Sequence, residues 1–386
     1  EAQGAATKLL DYTITLPTPT TPFRIIPFGC FAPDTEVLTR NGWKTRDALT
    51  IGEEVMTVNT TSSCGEWKPI KTLIDHSAGV YSTLLYSTAH HCLITPDHGI
   101  WHTWRKRGRE RQWQRRVASD MPKRPSPSLK IPVSTQYEGK GLSYSCDFLC
   151  LLGWFIAEGS FSFDKREKAA HPQARFAQSE PTAEAILSLL KKLGIPFTVH
   201  RTDRRGREHE IKGVSIVKPN FPELQIMLNR EWARRLWECV PNKIIPIEWL
   251  EMTQEQFEAF FDGFVSGDGT WHDRGRRGAV HQKDRRRLDM VQALCVLHGY
   301  KSTLRISRLM PLLHTLSFRK ASTFCWGDDS ILQPISWDGP VWCLTVDNET
   351  DVTRRNGKPV ILSNCVHAET DGFHEGLWKE CLADIA

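Results

Sequence analysis

The chain has no Cys-x-x-Cys pair. Its eleven cysteines are an odd number, and the closest two, Cys146 and Cys150, are wrongly spaced for a zinc ribbon. Neither such a ribbon nor a disulfide framework is therefore expected. No apolar run is long enough to span a bilayer, and there is no signal peptide or lipidation motif. The sequence thus reads as a cytoplasmic protein with no membrane partner. There is no large excess of one charge either: 50 Lys and Arg stand against 45 Asp and Glu, a net charge of +5. What basic character exists is gathered in clusters. The composition is otherwise that of an ordinary globular protein, and 386 residues leave room for two or three domains with real cores.

What is present begins with an arm, Leu16-Pro17-Thr18-Pro19-Thr20-Thr21-Pro22, followed by the apolar, strand-like Phe23-Arg24-Ile25-Ile26-Pro27-Phe28-Gly29. Cys30 then opens a second strand-like run, Phe31 to Thr39, ended by the turn signal Asn41-Gly42. From there to about Tyr137 short strands alternate with turns. Val55-Met56-Thr57-Val58 and Leu93-Ile94-Thr95 read as strands, which predicts an all-β module. A basic run, Arg105-Lys106-Arg107, Arg109, Arg111 and Arg115-Arg116, is interleaved with Trp101, Trp104 and Trp113. It reads either as a solvated face or as a phosphate-contacting patch. After about Pro334 the strand pattern returns in Val341-Trp342-Cys343-Leu344-Thr345-Val346, and Asn356-Gly357 turns into Val360-Ile361-Leu362-Ser363-Asn364-Cys365.

Between these stretches lies an internal repeat. Leu151-Leu152-Gly153-Trp154-Phe155-Ile156-Ala157-Glu158-Gly159 matches Phe261-Asp262-Gly263-Phe264-Val265-Ser266-Gly267-Asp268-Gly269. Each copy is an apolar helix with Gly at its third position, ending in an acid and a Gly. Gln178-Ser179-Glu180 follows the first copy and Gln282-Lys283-Asp284 the second, and each leads into a further helix and strand. Thr253-Gln254-Glu255-Gln256 is a capping box that starts the second motif helix. Without a Cβ, Gly153 and Gly263 let the two helices approach closely, so Glu158 and Asp268 should project side by side.

Cys30, the Thr95-Pro96-Asp97-His98 motif and the Asn364-Cys365 end, taken in that order, resemble an intein. The repeat resembles the two halves of a LAGLIDADG homing endonuclease. The resemblance implies an all-β Hint (hedgehog/intein) splicing module interrupted by an α+β two-repeat LAGLIDADG endonuclease. Residues 1–29 would be an upstream host fragment. The splicing module would comprise 30–138 and 335–364, the endonuclease 139–334, and the downstream host fragment 365–386. The joined flanks, ending in Gly29 and beginning Cys365-Val366-His367, resemble the first motif of a metallophosphoesterase host.

The resemblance also assigns roles. Cys30 attacks the Gly29 carbonyl to make a thioester, while Thr95 binds that peptide and His98 protonates the departing nitrogen. Cys365 takes the acyl group, Asn364 cyclises to a succinimide, and a shift from sulfur to nitrogen completes the Gly29–Cys365 bond. Splicing needs no cofactor. Ser363 stands where the family usually has His, and Cys343 where it often has Asp, which leaves Cys343 to tune Cys30 or relay the acyl group. In the endonuclease, Glu158 and Asp268 bind Mg²⁺, and Lys283 is a candidate for polarising the attacking water. The partner is double-stranded DNA, at a long site in the intein-less host gene, bound by a monomer. Other readings are a LAGLIDADG nuclease on an inactive splicing scaffold, a hedgehog-like domain that cleaves without ligating, and a metallophosphoesterase carrying an insertion.

Overall fold

The computed structural model describes residues 29–104, 113–163, 172–203, 208–211, 214–217, 221–272, 276–307 and 311–363. It is multi-domain and rich in sheet. The strands outside the repeat are short, and most are joined by tight turns. Glu36–Thr39 returns as Gly42–Thr45, with Thr39 opposite Gly42. The two turn residues are therefore Arg40 and Asn41, one step earlier than the Asn-Gly signal suggests, and Gly42 takes the left-handed φ of 90°. At the other end Asn356 and Gly357 both have positive φ. They join Thr350–Arg355 to Lys358–Ser363 in a two-residue hairpin.

These two hairpins share one six-stranded sheet. Its order is Lys358–Ser363, Thr350–Arg355, Glu36–Thr39, Glu54–Val58 and Gly65–Pro69, with Gly42–Thr45 beside Glu36–Thr39. The last described strand thus lies two places from the first. Val341–Thr345 pairs with Thr72–His76. A four-stranded sheet joins Gly99–Trp104, Trp113–Val117 and Ser126–Pro132 to Thr323–Trp326. The chain accordingly rejoins the outer sheets at Thr323, eleven residues before Pro334.

The middle region has five α-helices among the described residues: α1 Cys146–Glu158, α2 Glu180–Lys192, α3 Arg230–Cys239, α4 Gln254–Asp268 and α5 Arg285–Leu297. Each half has the same plan. One motif helix leads into a hairpin, a second helix and two more strands, and the sheet orders correspond. They are Gly159–Phe163, Pro172–Ser179, Glu223–Leu228, Phe197–Thr202 in the first half and Gly269–His272, Arg277–Gln282, His314–Lys320, Tyr300–Ile306 in the second. A small hairpin, Glu208–Ile211 with Val214–Val217, interrupts the first half.

Helices α1 and α4 pack along each other. Ser145 caps α1, and Thr253 with Gln256 forms the full capping box of α4. A Cβ on Gly153 would lie 2.2 Å from the Phe260 carbonyl oxygen, and one on Gly263 2.1 Å from that of Cys150. Backbone meets backbone there, so neither glycine can be replaced without separating the helices. Gly153→Ala is expected to lower stability by about 1–3 kcal/mol, the cost of forcing an atom into a filled contact. Denaturant unfolding of the variant against wild type reads this directly.

The halves and the outer sheets are not independent bodies. Leu38, Met56, Val58 and Trp67 from the outer sheets join Val291, Leu294 and Phe257 in one apolar core. Arg354, almost fully buried, crosses the same boundary. It donates to Glu36 at 2.7 Å and to Asp289 of α5 at 2.5 Å, with its guanidinium 4.5 Å from the Trp43 ring centroid. Among the described residues no helix is long and apolar enough to cross a membrane.

Candidate functional site

Two clusters of chemically capable side chains stand out, one in the outer sheets and one at the ends of α1 and α4.

The first is built around Cys30, which has no exposed surface. Its amide donates to Thr95 Oγ1 at 2.8 Å, and the Thr95 amide donates back to the Cys30 carbonyl at 3.1 Å. Thr95 also starts the tight turn that presents His98, whose amide donates to the Thr95 carbonyl at 3.1 Å. The Thr-x-x-His spacing therefore serves geometry: one residue holds the Cys30 peptide while the turn brings the imidazole over it. His98 is wholly buried and packs on Phe31 with ring centroids 4.6 Å apart. Burial, with Arg115 adding to it, pushes its pKa down to about 3. The imidazole is neutral at physiological pH and can pass a proton between neighbours.

The His98 ring lies beside the backbone of both Gly29 and Ser363, and its two nitrogens are buried without a hydrogen-bond partner of good geometry. A Cβ on Gly29 would come within 2.8 Å of the ring Nδ1, so the residue before Cys30 must be glycine for this approach. Ser363 is buried and its hydroxyl donates to the Gly99 carbonyl at 2.8 Å. That hydroxyl proton is already committed. Asn364 and Cys365 lie outside the described residues, as do Arg105 to Arg111 and Arg204-Arg205.

Cys343 is also fully buried. Its sulfur, the Cys30 sulfur and a ring nitrogen of His76 all lie within 4.8 Å of one another. Tyr81 brings its hydroxyl to the Cys30 thiol and to Thr95, and burial raises its pKa. The carboxyl of Asp97, raised mainly by burial, turns toward Thr95 and Tyr81. Asp351 has no exposed surface and neither carboxyl oxygen has a hydrogen-bond partner. Burial first, and the neighbouring Cys343 second, hold it well above the usual carboxylate range. Sequence reasoning missed His76, Tyr81 and Asp351. Strand pairing brings His76 to Cys343, Tyr81 reaches Cys30 from a loop, Asp351 neighbours Cys343, and no local pattern marks them.

The second cluster ends the paired helices. Glu158 and Asp268 are the last residues of α1 and α4. Burial, then the charge of Glu158, pushes Asp268 up to about 6, and burial raises Glu158. Each carboxylate meets the glutamine that recurs in the repeat: Gln282 donates to Asp268, and Gln178 meets Glu158. Two carboxylates raised by burial, Asp268 further by the charge of Glu158, form an oxygen donor set suited to a hard divalent ion such as Mg²⁺.

Lys283 is exposed, beside Gln282. Lys243 is the lysine at the carboxylates. Its Nζ donates to the carbonyls of Ala157 and Gly159 at 3.0 and 2.8 Å. Burial, then Arg287, pushes its pKa down to about 8 against the pull of Asp268 and Glu158. Arg287 donates to the Lys243 carbonyl at 2.9 Å and to Gln282 at 3.2 Å. Arg285 and Arg286 pair with Asp289 and Asp284. The Arg285–Arg287 run is therefore largely engaged within the protein. Basic groups not paired with acids gather instead where the second-half sheet meets Ser126–Pro132, in a cleft lined by Lys130, which donates to Cys325 Sγ, by Lys301, which lies over the Phe324 ring, and by Arg319.

Residues 145–226 match the family model described as the LAGLIDADG-like domain. No curated protein matches the chain. Among solved structures, I-DmoI in complex with DNA and Mn is 13% identical, with 45% of this chain and 89% of that chain covered and a TM-score of 0.32. I-DmoI in complex with DNA and Ca is likewise 13% identical, covering 45% of this chain and 82% of that one at a TM-score of 0.33. Full-length DUF199/WhiA from Thermatoga maritima is 13% identical, covering 47% and 54% at a TM-score of 0.29. The chain thus carries a LAGLIDADG-like domain over residues 145–226.

Proposed function

We propose that the chain excises residues 30–364, joins Gly29 to Cys365, and carries a Mg²⁺-dependent nuclease that cuts double-stranded DNA at a specific site. The observation that carries the splicing half is that one neutral imidazole, His98, lies beside the backbone at both Gly29 and Ser363, the two sides of the segment to be removed. The thiol of Cys30 attacks the Gly29 carbonyl carbon. A C–S bond forms, the Gly29–Cys30 C–N bond breaks, and the thiol proton passes through His98 to the released amine. Thr95 Oγ1 holds that nitrogen throughout. The Cys365 thiol then displaces Cys30 from the acyl group. The side-chain amide nitrogen of Asn364 attacks its own carbonyl carbon, releasing the segment as a succinimide, and the freed amine of Cys365 takes the acyl group from sulfur. The chemistry requires free thiols and suits a reducing cytoplasm, with the host protein supplied in cis.

Support for the nuclease half comes from the LAGLIDADG-like match and from Glu158 and Asp268 ending paired helices. A bound divalent ion would stabilise the charge that builds on the phosphate. The protein's own part is to hold the carboxylates with Gln178 and Gln282 and to offer Lys243 beside them, with Lys283 at the edge. Each half presents a four-stranded sheet, and a pair of such sheets suits successive major grooves, where base edges differ. Lys130, Lys301 and Arg319 fit backbone phosphates, which position the protein without reading sequence.

Incubating the protein and Mg²⁺ with DNA carrying the host gene, the coding region for 30–364 removed, tests this half. A double-strand cut at the junction is expected, and binding should weaken steeply with salt. Intact DNA would remove the activity. A second reading, a nuclease on a scaffold that no longer splices, is favoured by Ser363. It stands in place of the family's His, and its hydroxyl is spent on Gly99.

A further inference from the structure

We infer that Arg115 replaces the histidine absent before Asn364, its guanidinium donating to the Asn364 carbonyl oxygen as the bond to Cys365 breaks. The role rests on the splicing function proposed above. Strand register brings the side chain to the place. Gly99–Trp104 pairs with Trp113–Val117 so that Trp101 lies opposite Arg115, which makes Gly99 the diagonal neighbour of Arg115 on one face of the sheet. Gly99 has no side chain to fill that position. The point its Cβ would take is 2.1 Å from the Ser363 hydroxyl oxygen and 2.3 Å from Arg115 Nε. The serine hydroxyl and the guanidinium therefore meet at Gly99. Asn364 is the next residue, its Cα about 3.8 Å from that of Ser363. A side chain as long as arginine, already at the Ser363 hydroxyl, spans that step. Among the described residues no carboxylate pairs with Arg115, so its charge is not spent elsewhere.

The chemistry at Asn364 needs such a donor. Its side-chain nitrogen bonds to its own carbonyl carbon, and negative charge builds on the carbonyl oxygen before the bond to the Cys365 nitrogen breaks. Ser363 does not supply the donor, because its hydroxyl donates to the Gly99 carbonyl. His98 lies beside the Ser363 backbone and within the field of Arg115. Its neutral imidazole suits the transfer of the proton lost by the Asn364 nitrogen to the departing Cys365 amine. A guanidinium is the complement: it donates hydrogen bonds and keeps its charge, but gives up no proton. Arg115 stabilises the oxyanion while His98 moves the proton. Side chains alternate along a strand, so Arg116 points to the other face and takes no part. Arg115 thereby leaves the basic run that reads as a phosphate patch.

The test follows two steps separately in full chains made by a short pulse of cell-free synthesis under reducing conditions. Thioester formation is read as the fragment 1–29 released by hydroxylamine. Cleavage after Asn364 is read by mass as the appearance of free 30–364 in samples without hydroxylamine. Arg115→Gln should form the thioester at the wild-type rate and free 30–364 about 100-fold more slowly, the usual cost of losing one oxyanion donor. Arg116→Gln should change neither rate. Arg115 is exposed, so its variant should unfold at the wild-type denaturant concentration. Release of 30–364 by Arg115→Gln at the wild-type rate would overturn the role. An equal loss in both steps would overturn it too, because Arg115 would then act only through His98. So would an equal loss from Arg116→Gln, which would make the effect one of general charge. A wild type that forms no thioester and frees no 30–364 would remove the splicing function itself, and this role with it.

Discussion

Asn364→Ala is expected to leave a full-length chain that forms the upstream thioester and goes no further. Alanine has no side-chain amide to attack its own carbonyl, so the downstream peptide bond stays whole. Cys30, Thr95 and His98 are untouched by the change, and the Cys30 amide remains bonded to Thr95. Hydroxylamine or dithiothreitol should therefore release the fragment 1–29, while ligated product falls below detection. Adding Cys30→Ala should abolish that release too, because no thioester can form without the thiol. Joined flanks from Asn364→Ala would show that Asn364 is not the residue that resolves the branch. Resistance to hydroxylamine would put the fault earlier, at Cys30 or at the fit of Gly29 beneath His98.

Glu158→Gln and Asp268→Asn should each reduce DNA cutting by roughly a thousandfold or more. Losing an anionic ligand removes the ion and the several kcal/mol of transition-state stabilisation it supplies. The loss should not come from unfolding, and the sign can be checked. The folded pKa of Asp268 is raised to about 6. Its contribution to stability is full below the unfolded pKa and is lost as pH rises through about 6. At pH 8 wild-type Asp268 therefore carries a penalty that Asp268→Asn does not, and the variant should unfold at the same denaturant concentration or higher. DNA binding should persist, because the basic cleft is separate from the helix ends. Neither carboxylate shares a hydrogen bond with Cys30, Thr95 or His98, so splicing should proceed. Cutting at the wild-type rate by the double variant would exclude these carboxylates.

Much of this arrangement was legible in the chain itself. The helix contact is written in Gly153 and Gly263, because only a residue without Cβ admits a carbonyl 2.2 Å from that position. The recurring Gln178 and Gln282 mark the partners of the two carboxylates, and the capping box of α4 reads directly from Thr253 and Gln256. These are local signals, set by a turn of helix or a few residues.

What escaped depends on long-range register. His76 reaches Cys343 only because Thr72–His76 pairs with Val341–Thr345, more than two hundred residues later. Nothing in either strand names its partner. Lys243 was hidden for a related reason. It sits between the repeats, with a left-handed φ of 62°, and has no counterpart in the second half to draw attention to it. The arginine run beside Lys283, basic in sequence, is largely engaged within the protein. Arg287 turns inward to Lys243 and Gln282, and Arg285 and Arg286 pair with acids on and just before their own helix.

The mass spectrum of the intact chain, taken soon after expression under reducing conditions, tests the splicing claim most directly. It should contain one species with the mass of residues 30–364 and a second with the mass of 1–29 joined to 365–386, both absent from Cys30→Ala. Full-length chain alone, or the three fragments released without a joined product, would contradict it.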